Sequence, residues 1–154
     1  MSDPRYLPGR RLDSLAALQA LRPHVQAMKV QWGDMDALGH VNNVVYFQYL
    51  ENMRIAMMEE LGIFPRLFHE GGGLVVADSR CRYKAPVVYP DTLHVGIGVQ
   101  MLGEDRFLLH YDLFSERLQR VAAEAEVVIV SINAASGRKQ PMPDWFRAAM
   151  AELA

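Results

Sequence analysis

The hydrophobic pattern of this chain switches period after its longest helical stretch, and that switch limits the folds open to it. Between Asn43 and Leu61 the apolar residues Tyr46, Leu50, Met53, Met57 and Leu61 are spaced 4, 3, 4 and 4, as one face of a helix requires. The opposite side is thinly polar, with Gln48, Asn52 and Glu59, so the pattern predicts a helix that is largely buried. Gly62 ends it. After the turn-rich Glu70-Gly71-Gly72-Gly73 the period becomes 2 and stays there. Residues 74–85 form a candidate strand. Residues 92–101 set Leu93, Val95, Ile97, Val99 and Met101 on one face, and 106–114 do the same with Phe107, Leu109, Tyr111 and Leu113. Residues 120–133 form a long strand with Glu124 and Glu126 on one face near its start. The connectors GEDR and SERLQR are short, which predicts antiparallel hairpins. SGRKQPMP closes the sheet, and DWFRAAMAEL at 144–153 reads as a terminal helix.

Upstream of the long helix, residues 25–32 read as a first strand with Met28, Val30 and Trp32 on one face. Residues 11–21 carry Leu12, Leu15, Leu18 and Leu21 and are stopped by Pro23. A helix this short is marginal alone and must dock, on its own domain or on a partner subunit. Residues 1–10 read as an irregular arm. Strands are not interleaved with helices, which argues against a parallel doubly wound sheet. The order instead predicts a single α+β domain over 1–154, an antiparallel β-sheet wrapped around a long central α-helix. In it, 1–22 form an N-terminal extension and 140–154 a C-terminal helical tail. A sheet of few strands leaves an edge, and edges are managed by pairing or covering, so at least a homodimer is expected.

Composition removes several classes of function. Lys plus Arg number 16 and Asp plus Glu 18, a net charge of −2, which is not the footprint of a nucleic-acid binder. No apolar run reaches the ~20 residues of a membrane span. A lone cysteine, Cys81, excludes an internal disulfide and a cysteine-cluster metal site. The N-terminus has no apolar stretch after its charges, so a secretory signal is not expected and a cytoplasmic setting is.

Chemistry concentrates in Asp34-Met35-Asp36-Ala37-Leu38-Gly39-His40-Val41-Asn42-Asn43. Two carboxylates, an imidazole and two amides sit on one loop that runs into the start of the long helix. A helix start offers unpaired backbone N–H groups and the positive end of the dipole, which polarise a carbonyl. A carboxylate just upstream can attack that carbonyl or activate a water. Asp and Asn before a helix also serve as caps, and Gly39 is an ordinary turn residue. Asp34 and Asp36 are two apart, which in extended chain keeps them from sharing a proton. A metal set of Asp34, Asp36 and His40 matches no familiar ligand spacing.

The stretch VQWGDMDALGHVNNVVYFQYLENMR resembles the signature of the 4-hydroxybenzoyl-CoA thioesterase family of hot-dog-fold acyl-CoA thioesterases. The matching residues are Trp32, Asp34, Asp36, Gly39, His40, Asn42, Asn43, Tyr46, Tyr49 and Glu51. A looser similarity continues through RCRYKAPVVYPDTLHV, so that residues 25–135 are covered. The resemblance implies a hot-dog fold, subunits paired edge to edge as a homodimer or homotetramer, and hydrolysis of an acyl-CoA thioester to a free acid. It makes Asp36 the catalytic carboxylate, as nucleophile or as general base. It makes the backbone N–H of Asn43 the donor to the thioester oxygen. No cofactor and no metal are implied, since coenzyme A is part of the substrate. Thioesters of acyl carrier protein remain open as substrates. So do a non-catalytic acyl-thioester binding module and a hot-dog enoyl-CoA hydratase. In the hydratases, however, a histidine follows the catalytic Asp at a longer spacing than Asp36 to His40.

Substrate contacts are expected from His40, Asn42, Tyr46, Arg82 and Lys84. Each has a plainer alternative. His40 can fix the loop, Asn42 can cap, and Tyr46, like Tyr49, can belong to the core. Arg80, Arg82 and Lys84 alternate along a strand, where they can receive the phosphates of coenzyme A or protect an edge. Glu51, if buried, needs a partner, and Arg54 at i+3 is the candidate. Gly71-Gly72-Gly73 lacks the Lys and Ser/Thr of a phosphate loop, and Cys81 reads as a small interior residue rather than a nucleophile.

Overall fold

The computed structural model describes residues 12–154, so the irregular arm expected at 1–10 lies outside the described residues. The first helix, α1 (Leu15–Leu21), is capped by Ser14, whose Oγ accepts the Ala17 N–H at 3.1 Å. Then come β1 (His24–Lys29), α2 (Val45–Glu60), α3 (Ile63–His69), β2 (Gly72–Tyr83), β3 (Thr92–Met101), β4 (Arg106–Ser115), β5 (Arg120–Asn133) and α4 (Asp144–Ala151). The strands form one five-stranded sheet in the order β1-β3-β4-β5-β2, antiparallel at every pairing. The period-2 faces do what alternation demands. Val95, Ile97 and Val99 of β3, and Phe107, Leu109 and Tyr111 of β4, join Tyr49, Leu50, Met53 and Met57 of α2 in one buried core. This is an α+β architecture with the sheet laid over one long helix.

Three local readings change. β1 stops at Lys29, because residues Trp32–Asp34 turn into a 3-10 helix in which the Gln31 N–H meets Asp34 Oδ2 at 2.8 Å. Trp32 therefore leaves the strand face and is 72% exposed. Second, α2 begins at Val45 and is buried along one face only; Phe47, Ile55 and Leu61 are exposed. A single sheet can cover only one side of a helix, and the apolar count says nothing of what covers the other. Third, Ile63–His69 is helical, although no element is expected there from the sequence. Pro65 sits in the first turn, where its missing N–H breaks no bond. Gly62, at φ +64°, lets the chain reverse between the two helices.

α1 docks on its own chain, across the sheet face that α2 leaves open. Leu18 packs with Leu12, Phe114 and Val121 in a second small core. Arg22 Nε lies 2.6 Å from Asp112 Oδ2, and both side chains are buried. Gly96 permits this approach, because a Cβ there would stand 2.7 Å from Leu18 Cδ1. At the other end of the sheet β2 is an edge strand, with Val75 and Val76 exposed. Among the described residues no helix is long and apolar enough to cross a membrane.

Candidate active site

The Asp34–Asn43 loop is held as a small hairpin between β1 and α2. Met35 bridges Val41, the Asp36 N–H donates to the His40 carbonyl at 3.0 Å, and the Gly39 N–H donates back to the Asp36 carbonyl at 3.0 Å. Gly39 takes φ +82°, which a side chain would resist. The base of the hairpin is fixed twice. Val41, itself buried, donates its N–H to the Val87 carbonyl at 2.8 Å, and the Asn42 N–H donates to the Asp34 carbonyl at 2.9 Å.

The two carboxylates are used differently. Asp34 Oδ2 accepts the Tyr49 hydroxyl at 2.6 Å and the Gln31 N–H at 2.8 Å, so it ties the loop to α2. Burial, and then this bond to Asp34, push the Tyr49 phenol far above its ordinary value. Asp36 accepts only the Leu38 N–H, on Oδ1 at 2.9 Å; among the described residues nothing bonds its Oδ2. Asn42 Oδ1 accepts the Val44 N–H at 3.1 Å, and its carbonyl accepts the Val45 N–H at 2.9 Å, so Asn42 organises the helix start. The Asn43 carbonyl is held by the Tyr83 hydroxyl at 2.8 Å, while no described residue accepts the Asn43 N–H.

Asp36, His40, Asn42 and Asn43 are thus brought onto one rigid hairpin. His40 is exposed there. Tyr46 lies beneath it, buried, with its ring 5.0 Å from Tyr83 and 5.9 Å from Tyr49. Burial raises the Tyr46 phenol to about 12. Arg82 and Lys84 are not on this surface. They point to the opposite side of the sheet from Tyr83, where Lys84 bonds Glu124 and Arg82 Nη1 lies 4.0 Å from the same carboxylate. Arg80 pairs there with Glu126 at 2.8 Å. Among the described residues no three His, Cys, Asp or Glu side chains gather as a metal site requires. Burial raises the Cys81 thiol to about 11, which disfavours a thiolate.

Two features were not legible beforehand. Glu51 is exposed and takes Gln48 Nε2 at 3.0 Å, whereas Arg54 reaches across to the Tyr111 hydroxyl at 3.5 Å, so the expected Glu51–Arg54 pair is absent. Beside them opens a cavity of about 560 Å³ lined by Asp34, Val44, Phe47, Gln48, Arg54 and Ser79, among others. The signal for its helix wall was the 47, 51, 54 spacing on the side of α2 away from the core. Its strand wall needs the β2 register.

Among the described residues nothing bonds Asp36 Oδ2 or the Asn43 N–H, and a carboxylate oxygen and an N–H donor are groups that acyl transfer uses. Residues 30–150 match the Thioesterase-like superfamily. The 1,4-dihydroxy-2-naphthoyl-CoA hydrolase of Synechococcus elongatus is 30% identical over 129 residues, 77% of this chain and 90% of that protein. The long-chain acyl-CoA thioesterase FadM of Escherichia coli is 27% identical over 106 residues, 69% of this chain and 80% of that protein. Among solved structures, the PA2801 protein of Pseudomonas aeruginosa superposes with a TM-score of 0.73 at 40% identity, covering 82% of this chain and 96% of that one. The matched span takes in the hairpin, α2 and all but the first strand of the sheet: this chain belongs to the Thioesterase-like superfamily, and its fold is the hot-dog fold.

Proposed function

We propose that this protein hydrolyses an acyl-CoA thioester to a carboxylic acid and coenzyme A. The observation that carries the reading is that Asp36 Oδ2 and the Asn43 N–H, both without a partner among the described residues, lie on one hairpin fixed to α2 and to Val87. Relatives named as hydrolases of acyl-CoA thioesters support it. The signature around Asp36 favours the 4-hydroxybenzoyl-CoA thioesterase branch.

In this mechanism the Asn43 N–H donates to the thioester oxygen, and the positive end of α2 stabilises the charge that develops there. Asp36 then acts by one of two routes. As general base it takes a proton from water, and the resulting hydroxide adds to the carbonyl carbon. As nucleophile it adds directly, and water cleaves the resulting anhydride. Either way the C–S bond breaks, the thiolate leaves without strong acid assistance, and it is protonated from solvent. A thioester suits so sparse a site because its carbonyl is more electrophilic than an amide's. Asp34 fixes the loop through Tyr49. His40 faces the substrate side, Asn42 sets the helix start, and Tyr46 forms the floor. The acyl group occupies the cavity of about 560 Å³ beside α2. Arg82 and Lys84 contact coenzyme A phosphates only if those displace Glu124. No cofactor takes part, and the setting is cytoplasmic.

The free edge of β2, with Val75 and Val76, and the exposed Val44 and Phe47 of the helix start support a homodimer or homotetramer built by edge pairing. A stable 17 kDa monomer at micromolar concentration would contradict that assembly. The activity is tested by a thiol-reporter assay over acyl-CoA esters of varied length and ring content. Thiol release from at least one ester is expected. Saturable binding of these esters with no thiol, or loss of enoyl absorbance instead, would overturn the reading.

A further inference from the structure

A second open cavity, of about 490 Å³, lies between the end of β1 and the turn after β4, with Lys29, Tyr89, Pro90, Asp91, Glu116 and Arg117 in its walls. Its formal charges balance, but they are not arranged alike. Asp91 turns inward. Its Oδ1 accepts the N–H of Thr92 at 2.7 Å and of Arg117 at 3.0 Å, and its Oδ2 accepts the Ser115 hydroxyl. Glu116 is engaged by His94 Nε2 at 2.9 Å. Lys29 and Arg117 are exposed, and neither side chain has an ion-pair or hydrogen-bond partner among the described residues. Tyr89 presents its ring beside them, 42% exposed. The cavity therefore shows two unengaged cations and an aromatic face; Asp91 is turned inward, and exposed Glu116 is engaged on one oxygen by His94.

The segment that lines this cavity also braces the candidate active site. The Asp91 carbonyl accepts the Val30 N–H at 3.0 Å, and the Val87 carbonyl accepts the Val41 N–H at 2.8 Å. Residues 87–91 thus link the hairpin that carries Asp36 to the wall of this cavity. In the Arg82–Lys84 stripe Lys84 is already bonded to Glu124, and Arg82 Nη1 lies 4.0 Å from the same carboxylate.

We propose that this cavity receives the adenosine-phosphate end of a coenzyme A thioester whose carbonyl lies at Asp36. Lys29 and Arg117 take the phosphates, the one as a point charge and the other as a two-pronged donor, and adenine stacks on Tyr89. The inference rests on the thioesterase reading, and it adds a carrier preference: coenzyme A esters over the same acyl group on a carrier protein, which brings no adenosine.

The test uses the full-length protein and a Lys29→Gln/Arg117→Gln variant. Neither substitution removes a described side-chain contact. The first readout is calorimetric binding of coenzyme A and of adenosine 3′,5′-bisphosphate. Two exposed charge contacts are together worth about a 10-fold loss of affinity for both ligands in the variant. The second readout is the kcat/KM of a coenzyme A ester divided by that of the matching N-acetylcysteamine ester, and this ratio is expected to fall about 10-fold. Equal affinities and an equal ratio in variant and wild type would overturn the proposal. So would the same losses arising from Arg82→Gln/Lys84→Gln instead, or a wild-type preference for the carrier-protein ester. If wild type released thiol from no ester, the hydrolase reading would fall, while the calorimetry would still decide where the nucleotide binds.

Discussion

Replacing Tyr49 by Phe removes one oxygen from the structure and tests whether Asp34 is the strut of the loop. The Tyr49 hydroxyl is buried on α2 and lies 2.6 Å from Asp34 Oδ2. A hydrogen bond to a charged group contributes ~1.5–3 kcal/mol net. Asp34 is half-buried and keeps the Gln31 N–H at 2.8 Å, so water can partly replace the lost donor. The lower end, about 1.5 kcal/mol, is therefore expected, with little from the cavity because only a hydroxyl is lost. For a domain of this size that lowers Tm by about 3–6 °C. Thermal or denaturant unfolding followed by circular dichroism measures it. The alkaline limb carries a second signature. Because the folded-state phenol is raised, its contribution to stability is whole below about pH 10 and falls as pH climbs above that value. The variant should lose up to about 1.4 kcal/mol per pH unit of that slope, leaving the part due to the other raised groups, Tyr46 and Tyr111, both raised by burial to about 12, with Tyr83 and Cys81. Turnover should drop, since the hairpin that carries Asp36 loosens, and KM should rise with it because Asp34 also lines the cavity. A variant with wild-type Tm, alkaline slope and kcat would refute the strut.

Other perturbations probe separate joints. Gly96→Ala drives a Cβ to 2.7 Å from Leu18 and 2.8 Å from the Arg22 side chain, so α1 must shift off the sheet, at a cost of ~1–3 kcal/mol seen in denaturant melts. His110, buried beside Arg22 and Glu126, has its pKa lowered to about 4, mainly by desolvation. Its unfolded form takes up a proton first, so stability is whole above about pH 6.5 and falls as pH drops toward 4, by about 3 kcal/mol at most, and His110→Gln should flatten that acid limb. Asp34→Asn keeps an acceptor for Tyr49 and should reduce turnover far less than the corresponding change at Asp36.

The helix and the strands were legible because burial on one face imposes a period, and period survives in sequence. So was the loop, where polar residues gather between two rigid elements. The division of labour within it was less so. Spacing alone points to both Asp34 and Asp36, and only the placement of the Tyr49 hydroxyl shows which carboxylate is engaged. Arg82 and Lys84 illustrate the opposite failure. Their alternation was visible, but the β2–β5 register that sets Arg80 against Glu126 and Arg82 against Glu124 is a long-range property. Nor does composition reveal that α2 keeps an apolar side uncovered within one chain, at Phe47 and Ile55. Seven residues interrupted by Pro65 were too few to announce α3.

The most direct measurement is the turnover of Asp36→Asn on whichever thioester the wild-type protein cleaves fastest, with the fold checked by circular dichroism. The account predicts an unaltered melting curve and a kcat at least ~10³-fold lower, because amide nitrogen and oxygen can neither add to the thioester carbon nor take a proton from water. A correctly folded variant that still releases thiol at the wild-type rate would contradict it.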